Sequence, residues 1–180
     1  MASLSQLVLR DARPEELDAV SAIIRAAYAE YASMMPADRW TAYIERATDV
    51  RSRAQLTDLI VAELDGRLLG SITYYPQGPA STDQHWPPGW VGLRLLAVTP
   101  EGRGLGIGRA LMEECVRRGR AQGAMAVGLH TTERMAIGKA MYERMGFERV
   151  PASDFGGGGG TTVLAYRLDL TAPTVAIQGP

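Results

Sequence analysis

The sequence predicts one α+β domain, with a mixed, mostly antiparallel sheet of about seven strands flanked by helices. Three observations lead to this prediction. Asp65-Gly66 separates two apolar, strand-like runs, and Asp-Gly is a strong signal for a tight antiparallel hairpin. A strand, a helix and a second strand follow one another over residues 90–130, and a right-handed crossover makes such strands parallel. The 180 residues suit one domain, and no repeat or linker divides them.

Each element follows from a local pattern. Pro14 with Glu15 and Glu16 is typical of a helix start, and apolar residues then recur at helical spacing. Gly123 and Gly146 are expected helix stops. Helices are predicted at 14–31, 38–47, 106–122 and 133–145, and strands at 7–10, 59–64, 67–75, 90–98, 124–130, 147–150 and 161–170. Residues 1–170 form the predicted domain, and 171–180, which lack periodicity, are expected to be a mobile tail.

Composition excludes several classes of protein. The net charge of −1 argues against a general nucleic-acid binder. No apolar run is long enough to span a membrane, and the N-terminus lacks the pattern of a secretory signal, so we expect a cytoplasmic protein without a membrane partner. Cys115 is the only cysteine and has the spacing of a core residue, while His85 and His130 lie far apart in sequence. We therefore expect neither a disulfide nor a metal site.

The segment LAVTPEGRGLGIGRALM, residues 96–112, is rich in glycine and leads into a predicted helix. A helix start exposes unpaired N–H groups and carries the positive end of the helix dipole, so it suits an anion, and a phosphate best of all. Glycine lets a phosphate approach the backbone closely, and Arg103 and Arg109 can add charge-assisted hydrogen bonds. The segment therefore predicts a phosphate or pyrophosphate cradle.

Two familiar phosphate-binding patterns do not fit this segment. A P-loop needs a lysine after its last glycine, and a dinucleotide fingerprint needs G-x-G-x-x-G, which fails in every frame that begins at Gly102, Gly104 or Gly106. A nucleotide-dependent oxidoreductase is therefore the weakest hypothesis. A tight strand-to-helix turn that uses glycine for its geometry alone stays an alternative.

Two motifs resemble those of the GNAT superfamily of N-acetyltransferases. Arg103–Gly108 resembles its acetyl-CoA motif, R/Q-x-x-G-x-G/A, and Tyr142 followed four residues later by Gly146-Phe147 resembles its second signature. The resemblance covers about residues 4–170. It implies the GNAT fold and direct transfer of an acetyl group from acetyl-CoA to a primary amine of a small molecule or peptide. Family members are often dimers, so a homodimer is expected.

The resemblance assigns roles by position. The backbone of Leu96, Ala97 and Val98 would pair with the pantetheine arm. The pyrophosphate would bind to the amides of Arg103, Gly104, Leu105, Gly106, Ile107, Gly108 and Arg109. Tyr142 would lie near the sulfur as general acid toward the departing thiolate, since a phenol can donate a proton or a hydrogen bond. The alternative for Tyr142 is a core aromatic.

The general base stays open. Many family members carry a glutamate on the strand before the glycine loop, but Gly92 stands at the nearest equivalent position, and Met135 replaces an asparagine upstream of the tyrosine. His130 is a candidate base because histidine titrates near neutral pH, although a surface histidine or a water chain is an alternative. The missing glutamate also motivates a second function, a non-catalytic acyl-CoA-binding sensor.

By analogy with the family, three segments should border the acceptor: the end of the first helix, the loop after residue 75, and the glycine run 156–160. The candidate acceptor residues are Tyr31, Met35, Tyr75 and His85. Aromatic and methionine side chains line pockets adaptably, and Asp83 or Asp154 could attract a cationic amine. The tyrosine of the helix can equally be a core residue, and the glycine run a simple hairpin tip.

Overall fold

A mixed eight-stranded sheet forms the centre of the fold, in the order β1-β2-β3-β4-β5-β8-β6, with β7 paired to β8. The computed structural model describes residues 6–76, 86–157 and 160–171. The strands are β1 Leu7–Asp11, β2 Asp58–Leu64, β3 Arg67–Tyr75, β4 Trp90–Val98, β5 Ala126–Thr132, β6 Glu148–Arg149, β7 Phe155–Gly156 and β8 Thr162–Asp169. The helices are α1 Leu17–Tyr28, α2 Ala37–Thr48, α3 Val50–Arg53, α4 Ile107–Ala121 and α5 Ala136–Arg144.

The predicted fold class is confirmed. Strands β4 and β5 are parallel, and the other pairs are antiparallel. Four details differ from the prediction, and one is the short helix α3, which was not predicted. The first predicted helix is α1 flanked by the 3-10 turns Pro14–Glu16 and Ala29–Met34. Helix α5 begins three residues late, because a turn closed by the bond from Met135 N to Thr132 O comes first. The two-residue β7 lies in a glycine-rich segment without a strand pattern.

The β2–β3 hairpin has the predicted turn. Asp65 and Gly66 have φ angles of 50° and 77°, so both central residues are left-handed. That combination defines the tight turn whose twist matches two antiparallel strands. Leu64 pairs with Arg67 directly beside it.

Two apolar clusters cover opposite faces of the sheet. Side chains alternate between faces along a strand, so Ile60 of β2 contacts the cluster under α4, whereas Val61 contacts the cluster under α1 and α2. We call these sides the α4 face and the α1–α2 face. Helix α5 also contacts the α4 face, through Met141, Tyr142 and Met145. Cys115 is fully buried on the α4 face, as predicted, and burial raises the pKa of its thiol.

An ion-pair cluster fastens the start of α1 to the sheet edge. The Arg10 guanidinium lies 2.7 Å from Glu16 Oε1 and 2.6 Å from Glu63 Oε2, and the Arg13 amide donates to Glu16 at 2.8 Å. The hydrogen bond from Arg10 is the main cause that lowers the pKa of Glu16 to about 2. Charged Glu16 is therefore stabilised in the folded state.

The folded protein should lose this contribution in acid. Because the folded pKa of Glu16 lies below the usual 4.5, its contribution is complete above about pH 4.5 and disappears as the pH falls toward 2. We expect Glu16→Gln to lower the free energy of unfolding by about 1 kcal/mol at pH 7 and to flatten its decline between pH 4.5 and 3. Urea unfolding at both ends of that range measures this. Glu15→Gln, at the neighbouring exposed position, is the control. Parallel pH curves for wild type and Glu16→Gln would contradict the assignment.

Candidate functional site

The sheet opens between β4 and β5. The two strands pair over only four positions, from Trp90 with Ala126 to Leu93 with Leu129. Beyond this point β4 stays paired with β3, and β5 stays paired with β8. Within the described residues, the edge of β4 from 94 to 98 that faces β5 therefore lacks a strand partner. Its backbone groups are available to an extended ligand.

A β-bulge lies where β4 and β5 separate. Thr73 pairs with Arg94 and Ser71 with Ala97, so Leu95 and Leu96 both stand opposite one residue of β3. Leu95 has a φ of 54°, which is unusual for a residue with a bulky side chain. Bulges bend a strand and redirect its backbone, and this one coincides with the departure of β4 from β5.

Tyr28 supports the bulge from the other side. Its buried hydroxyl donates to the carbonyl of Leu96 at 3.1 Å. Burial raises the pKa of Tyr28 well above its usual value, so the hydroxyl keeps its proton and stays a donor. The spacing of apolar residues in α1 identified Tyr28 as a helix-face aromatic, but no sequence signal pointed to this bond between residues 68 positions apart.

The glycine loop follows β4 and begins α4. Gly104 and Gly106 have φ angles of 76° and 77°, and a Cβ at either would meet nothing within 4 Å. They are needed for their left-handed backbone, and space is open beside them. Gly102 differs, since a Cβ there would contact three apolar side chains at 3.1–3.2 Å. The first turn of α4, Ile107–Arg109, has N–H groups without partners in the helix. These groups directly follow the open space beside Gly104 and Gly106.

The two arginines of the loop have carboxylate partners. Arg103 Nη2 lies 2.9 Å from Glu30 Oε1 and 3.4 Å from the carbonyl of Ala27, so it ties the loop to the end of α1. Arg109 Nε lies 2.7 Å from Glu113 Oε1, one turn along α4. In the structure both side chains make charge-assisted bonds to carboxylates, and their contacts with a phosphate stay a prediction.

Tyr142 lies on α5, partly buried on the α4 face. Its ring is 6.0 Å from that of Phe147, the aromatic residue of the second motif. Burial, with a smaller effect from Tyr31, raises the pKa of Tyr142 to about 12. Its hydroxyl has no hydrogen-bond partner among the described residues. Tyr142 also contributes to the raised pKa of Tyr28, whose hydroxyl donates to the Leu96 carbonyl in the bulge.

His130 belongs to a row of aromatic rings on the α1–α2 face. Its ring stacks on Trp86 at 4.4 Å and meets Phe155 edge-on at 5.0 Å. Trp86 in turn stacks on Trp90 at 5.5 Å, and it lies so close to Gly128 that a Cβ there would be 2.6 Å from the indole. The catalytic role of His130 stays a prediction, and stacking is the role that the structure displays.

The candidate acceptor residues do not all converge. The ring centroid of Tyr31 lies 5.7 Å from that of Tyr28, whose hydroxyl contacts the bulge, and Tyr31 contributes to the raised pKa of Tyr142. Met35 is half-buried at the end of the same turn, where Arg134 donates to the neighbouring carbonyl of Met34. Tyr75 is buried at the end of β3, next to Gly92. His85 and Asp83 lie outside the described residues, as do 158–159 of the glycine run and 172–180 of the tail.

Sequence reasoning missed Arg94. It is the one charged residue in the apolar strand WVGLRLLAV, and that exception was an available signal. Burial raises the pKa of Tyr28 and of Tyr43, and the charge of Arg94 opposes that rise in each. Met135, which stands where the family has asparagine, packs against the cluster on the α1–α2 face.

Two kinds of feature are absent from the described part of the chain. No group of three or more His, Cys, Asp or Glu side chains could hold a metal ion there. No helix in those same ranges is long and apolar enough to cross a membrane.

An opened parallel strand pair followed by a glycine loop at a helix start defines the class of acetyltransferases that the motifs resemble, and comparison with known proteins agrees. The profile described as "Acetyltransferase (GNAT) family" matches residues 18–147. The chain belongs to this family.

Individual relatives give a finer comparison. A mycothiol acetyltransferase from Cellulomonas flavigena is 36% identical over 92 residues, which are 50% of this chain and 26% of that protein. The chain thus matches about a quarter of the length of this curated relative.

Solved structures share the fold. The PaiA N-acetyltransferase of Thermoplasma acidophilum, in complex with coenzyme A, has a TM-score of 0.70 at 17% identity, with 91% of this chain and 99% of that chain covered. A GNAT family acetyltransferase of Brucella melitensis, in complex with acetyl-CoA, has a TM-score of 0.60 at 25% identity, with 93% and 90% covered.

The aromatic row can be tested through Gly128. A methyl group at this position would overlap the Trp86 indole, so we expect Gly128→Ala to displace the ring and to lower the free energy of unfolding by about 1–3 kcal/mol. Tryptophan fluorescence should shift to longer wavelength as Trp86 becomes exposed. Gly156→Ala is the control, because a Cβ there meets nothing within 4 Å. An unchanged spectrum for Gly128→Ala would contradict the packing described for Trp86.

Proposed function

We propose that the protein is an acetyl-CoA-dependent N-acetyltransferase that moves an acetyl group directly to a primary amine of a small molecule or peptide. One observation carries the proposal: the sheet opens between β4 and β5 directly before the glycine loop, and Tyr142 packs on the same face with a hydroxyl that has no hydrogen-bond partner among the described residues. This arrangement supplies an edge for an extended arm, a cradle for phosphate and a proton donor. The name of the Thermoplasma relative, an N-acetyltransferase, supports a nitrogen acceptor.

The open strand edge and the loop fit the two parts of the donor. The pantetheine arm carries amides, and the backbone of Leu96, Ala97 and Val98 lies on the edge of β4 that β5 does not cover, where it can offer them hydrogen bonds. The carbonyl of Leu96 also accepts from the Tyr28 hydroxyl. The pyrophosphate is proposed to bind the amides of the segment from Arg103 to Arg109, which leads into α4 and has open space beside Gly104 and Gly106. The amides of Arg103 and Leu105 donate within the loop, so the amides of the first turn of α4 are the main proposed donors. No side-chain charge is needed for this contact, since the dipole of α4 contributes partial positive charge.

The chemistry requires a deprotonated amine, donors for the carbonyl oxygen and a proton for sulfur. The amine nitrogen forms a bond to the acetyl carbon as the C–S bond breaks, the amine loses a proton and the sulfur leaves as the thiol. Tyr142 is the proposed proton donor, and its pKa of about 12 keeps it protonated at neutral pH. A backbone N–H at the end of β4, near Val98, is the proposed donor to the carbonyl oxygen.

The proton of the amine needs an acceptor other than a carboxylate of β4, because residues 90–98 contain none. His130 is the side-chain candidate, on the strand that faces the opening. The alternative acceptor is a water chain. The stacking of the His130 ring on Trp86 favours this alternative. The homodimer and the cytoplasmic location stay predictions.

Removal of the Tyr142 hydroxyl tests the proposed acid. We expect Tyr142→Phe to reduce kcat about 100-fold, since a positioned acid contributes on the order of 10²–10⁴ in rate. The assay follows free thiol released from acetyl-CoA against a panel of amines and peptides. Tyr74→Phe is the control. The Tyr74 hydroxyl donates to Gln122, so its removal should leave the rate of thiol release unchanged. An equal rate for Tyr142→Phe and wild type would exclude the acid role.

The same assay separates the enzyme from the acyl-CoA sensor. The absence of a carboxylate on β4 is the observation that favours a sensor. A sensor would bind acetyl-CoA tightly by calorimetry and release no thiol with any acceptor. Thiol release that depends on an amine would decide for the enzyme.

The proposed phosphate cradle can be tested by a binding measurement that does not depend on acetyl transfer. Gly106 and Gly66 both have a φ of +77° and open space beside them, so an alanine costs about 1 kcal/mol of stability at either position. Only Gly106 lies in the cradle, and we expect Gly106→Ala to weaken coenzyme A binding at least about tenfold, while Gly66→Ala leaves it unchanged. Calorimetric titration with coenzyme A measures both. Equal affinities for the two variants would contradict the proposed phosphate site.

A further inference from the structure

The hydrogen bonds between β3 and β4 determine which backbone groups of β4 face the opening. The Thr99 N–H donates to the carbonyl of Leu69 at 2.9 Å, so these two residues form a hydrogen-bonded pair. Bonded and non-bonded pairs alternate along an antiparallel ladder. The pair that contains Val98 is therefore non-bonded, and Ser71 with Ala97 is the next bonded pair. The N–H and the carbonyl of Val98 consequently point away from β3, toward the side that β5 leaves uncovered.

The carbonyl of Leu96 points to the same side. Within one trans peptide group, the carbonyl and the N–H that follows it point in opposite directions. The Ala97 N–H faces Ser71 of β3, so the Leu96 carbonyl faces the opening between β4 and β5. The carbonyl of Leu96 and the N–H of Val98 are thus neighbouring groups on one edge. Of the three residues proposed to hold the pantetheine arm, these two direct their groups at it.

Tyr28 binds the Leu96 carbonyl from a fixed position. Its hydroxyl donates to Leu96 O at 3.1 Å, and the residue is buried. Its ring centroid lies 5.7 Å from that of Tyr31 and 6.2 Å from that of Tyr43, so two aromatic neighbours restrict its movement. Tyr28 is also the last residue of α1, whose buried side chains pack on the sheet. A side chain that is locked by packing in this way can hold another group in place.

The bulge at Leu95 depends on such contacts. A φ of 54° is strained for leucine, and strained conformations persist only where the surrounding structure determines them. The Leu95 side chain packs against the cluster on the α1–α2 face, which holds the first residue of the bulge. The hydroxyl of Tyr28 holds the second residue, Leu96, by its carbonyl. Loss of this bond would free the Leu96 peptide group to rotate, and the direction of the Val98 N–H depends on that group.

The Tyr28 hydroxyl also changes the electrostatics of the edge. In the proposed reaction the thioester oxygen gains negative charge and accepts from the Val98 N–H. A Leu96 carbonyl without a donor would present partial negative charge on the same edge. The O–H of Tyr28 offsets that charge, and burial keeps the pKa of Tyr28 well above its usual value, so the hydroxyl retains its proton. The bond therefore favours the charged transition state over the neutral ground state.

This inference rests on the proposed function and adds one residue to it. We propose that Tyr28 is a positioning residue, which holds the Leu96 carbonyl so that the Val98 N–H is directed at the carbonyl oxygen of the acetyl thioester. Tyr28 acts through the backbone of β4 and exchanges no proton with the donor or the acceptor. Its contribution belongs to the transition state, so it affects the rate of acetyl transfer and leaves the affinity for acetyl-CoA unchanged.

Removal of the hydroxyl tests the effect on the rate. We expect Tyr28→Phe to reduce kcat about 10-fold and to keep the Kd for acetyl-CoA within about twofold, because a misdirected donor costs less than an absent one. Thiol release is measured with the full chain and the best amine of the panel, and Kd by calorimetry with acetyl-CoA alone. Tyr74→Phe is the matched control, since it also removes a hydroxyl bond of a buried tyrosine, the one to Gln122. It should leave kcat and Kd unchanged.

Infrared spectroscopy tests the hydrogen bond to the thioester directly. Such a bond lowers the frequency of the C=O stretch, so the Val98 N–H should lower it in bound acetyl-CoA. We expect isotope-edited difference spectra to show this frequency shifted back toward that of free acetyl-CoA in the Tyr28→Phe complex, whereas the Tyr74→Phe complex matches wild type. A tyrosine that only stabilises the fold would not move this frequency. The measurement requires no acceptor.

The two measurements separate this inference from the proposed function. If the wild type transfers acetyl, three results would overturn the inference and leave the proposed function in place: an unchanged kcat in Tyr28→Phe, a loss confined to Kd, or an equal loss in Tyr74→Phe. If the wild type binds acetyl-CoA without any turnover, the infrared spectra decide. A stretch frequency that depends on Tyr28 would support the inference although the proposed activity had failed, and a frequency independent of Tyr28 would overturn it. A wild type that binds no acetyl-CoA would overturn both.

Discussion

The separation of β4 from β5 is the constraint on which the site depends. Two parallel strands that stayed paired to their ends would leave no backbone group for a ligand, and the sheet would be closed from one edge to the other. The pairing stops after Leu93 and Leu129, and each strand then continues with a different feature. Strand β4 continues with a bulge and then the glycine loop, whereas β5 continues into a turn that leads to α5 and Tyr142.

Helix α1 and the turn after it hold this opening in shape through three contacts. Tyr28 donates to the carbonyl of Leu96 in the bulge, Glu30 accepts from Arg103 of the loop, and the carbonyl of Met34 accepts from Arg134 beyond β5. One continuous segment thus contacts β4, the phosphate cradle and the β5–α5 turn. A ligand that shifts this segment would act on the cradle and the strand edge together.

Short sequence patterns explain which parts of the fold and the site could be predicted. The hairpin at Asp65-Gly66 and the parallel pair follow from residue types at short spacing, and the structure has them as predicted. The left-handed backbone of Gly104 and Gly106 belongs to the geometric alternative for the glycine loop, while phosphate binding stays a prediction. The bond from Tyr28 to Leu96 joins residues 68 positions apart, and it depends on where α1 packs on the sheet, which no short pattern encodes. The surroundings of His130 were not predictable for the same reason, because Trp86 and Phe155, which contact its ring, come from other parts of the chain. Its role as a base stays a prediction.

The bulge residue Leu95 has a consequence for substitution at its position. A leucine at a φ of 54° holds the backbone in a conformation that costs the folded state about 1–3 kcal/mol. Glycine would adopt the same angles without that cost, but it would lose the leucine contact with the cluster on the α1–α2 face. A substitution at this position therefore exchanges backbone strain against packing, and glycine would leave the bend of β4 in place. The bend is set by the bulge, whereas the leucine side chain anchors the bent strand to the helices on the α1–α2 face.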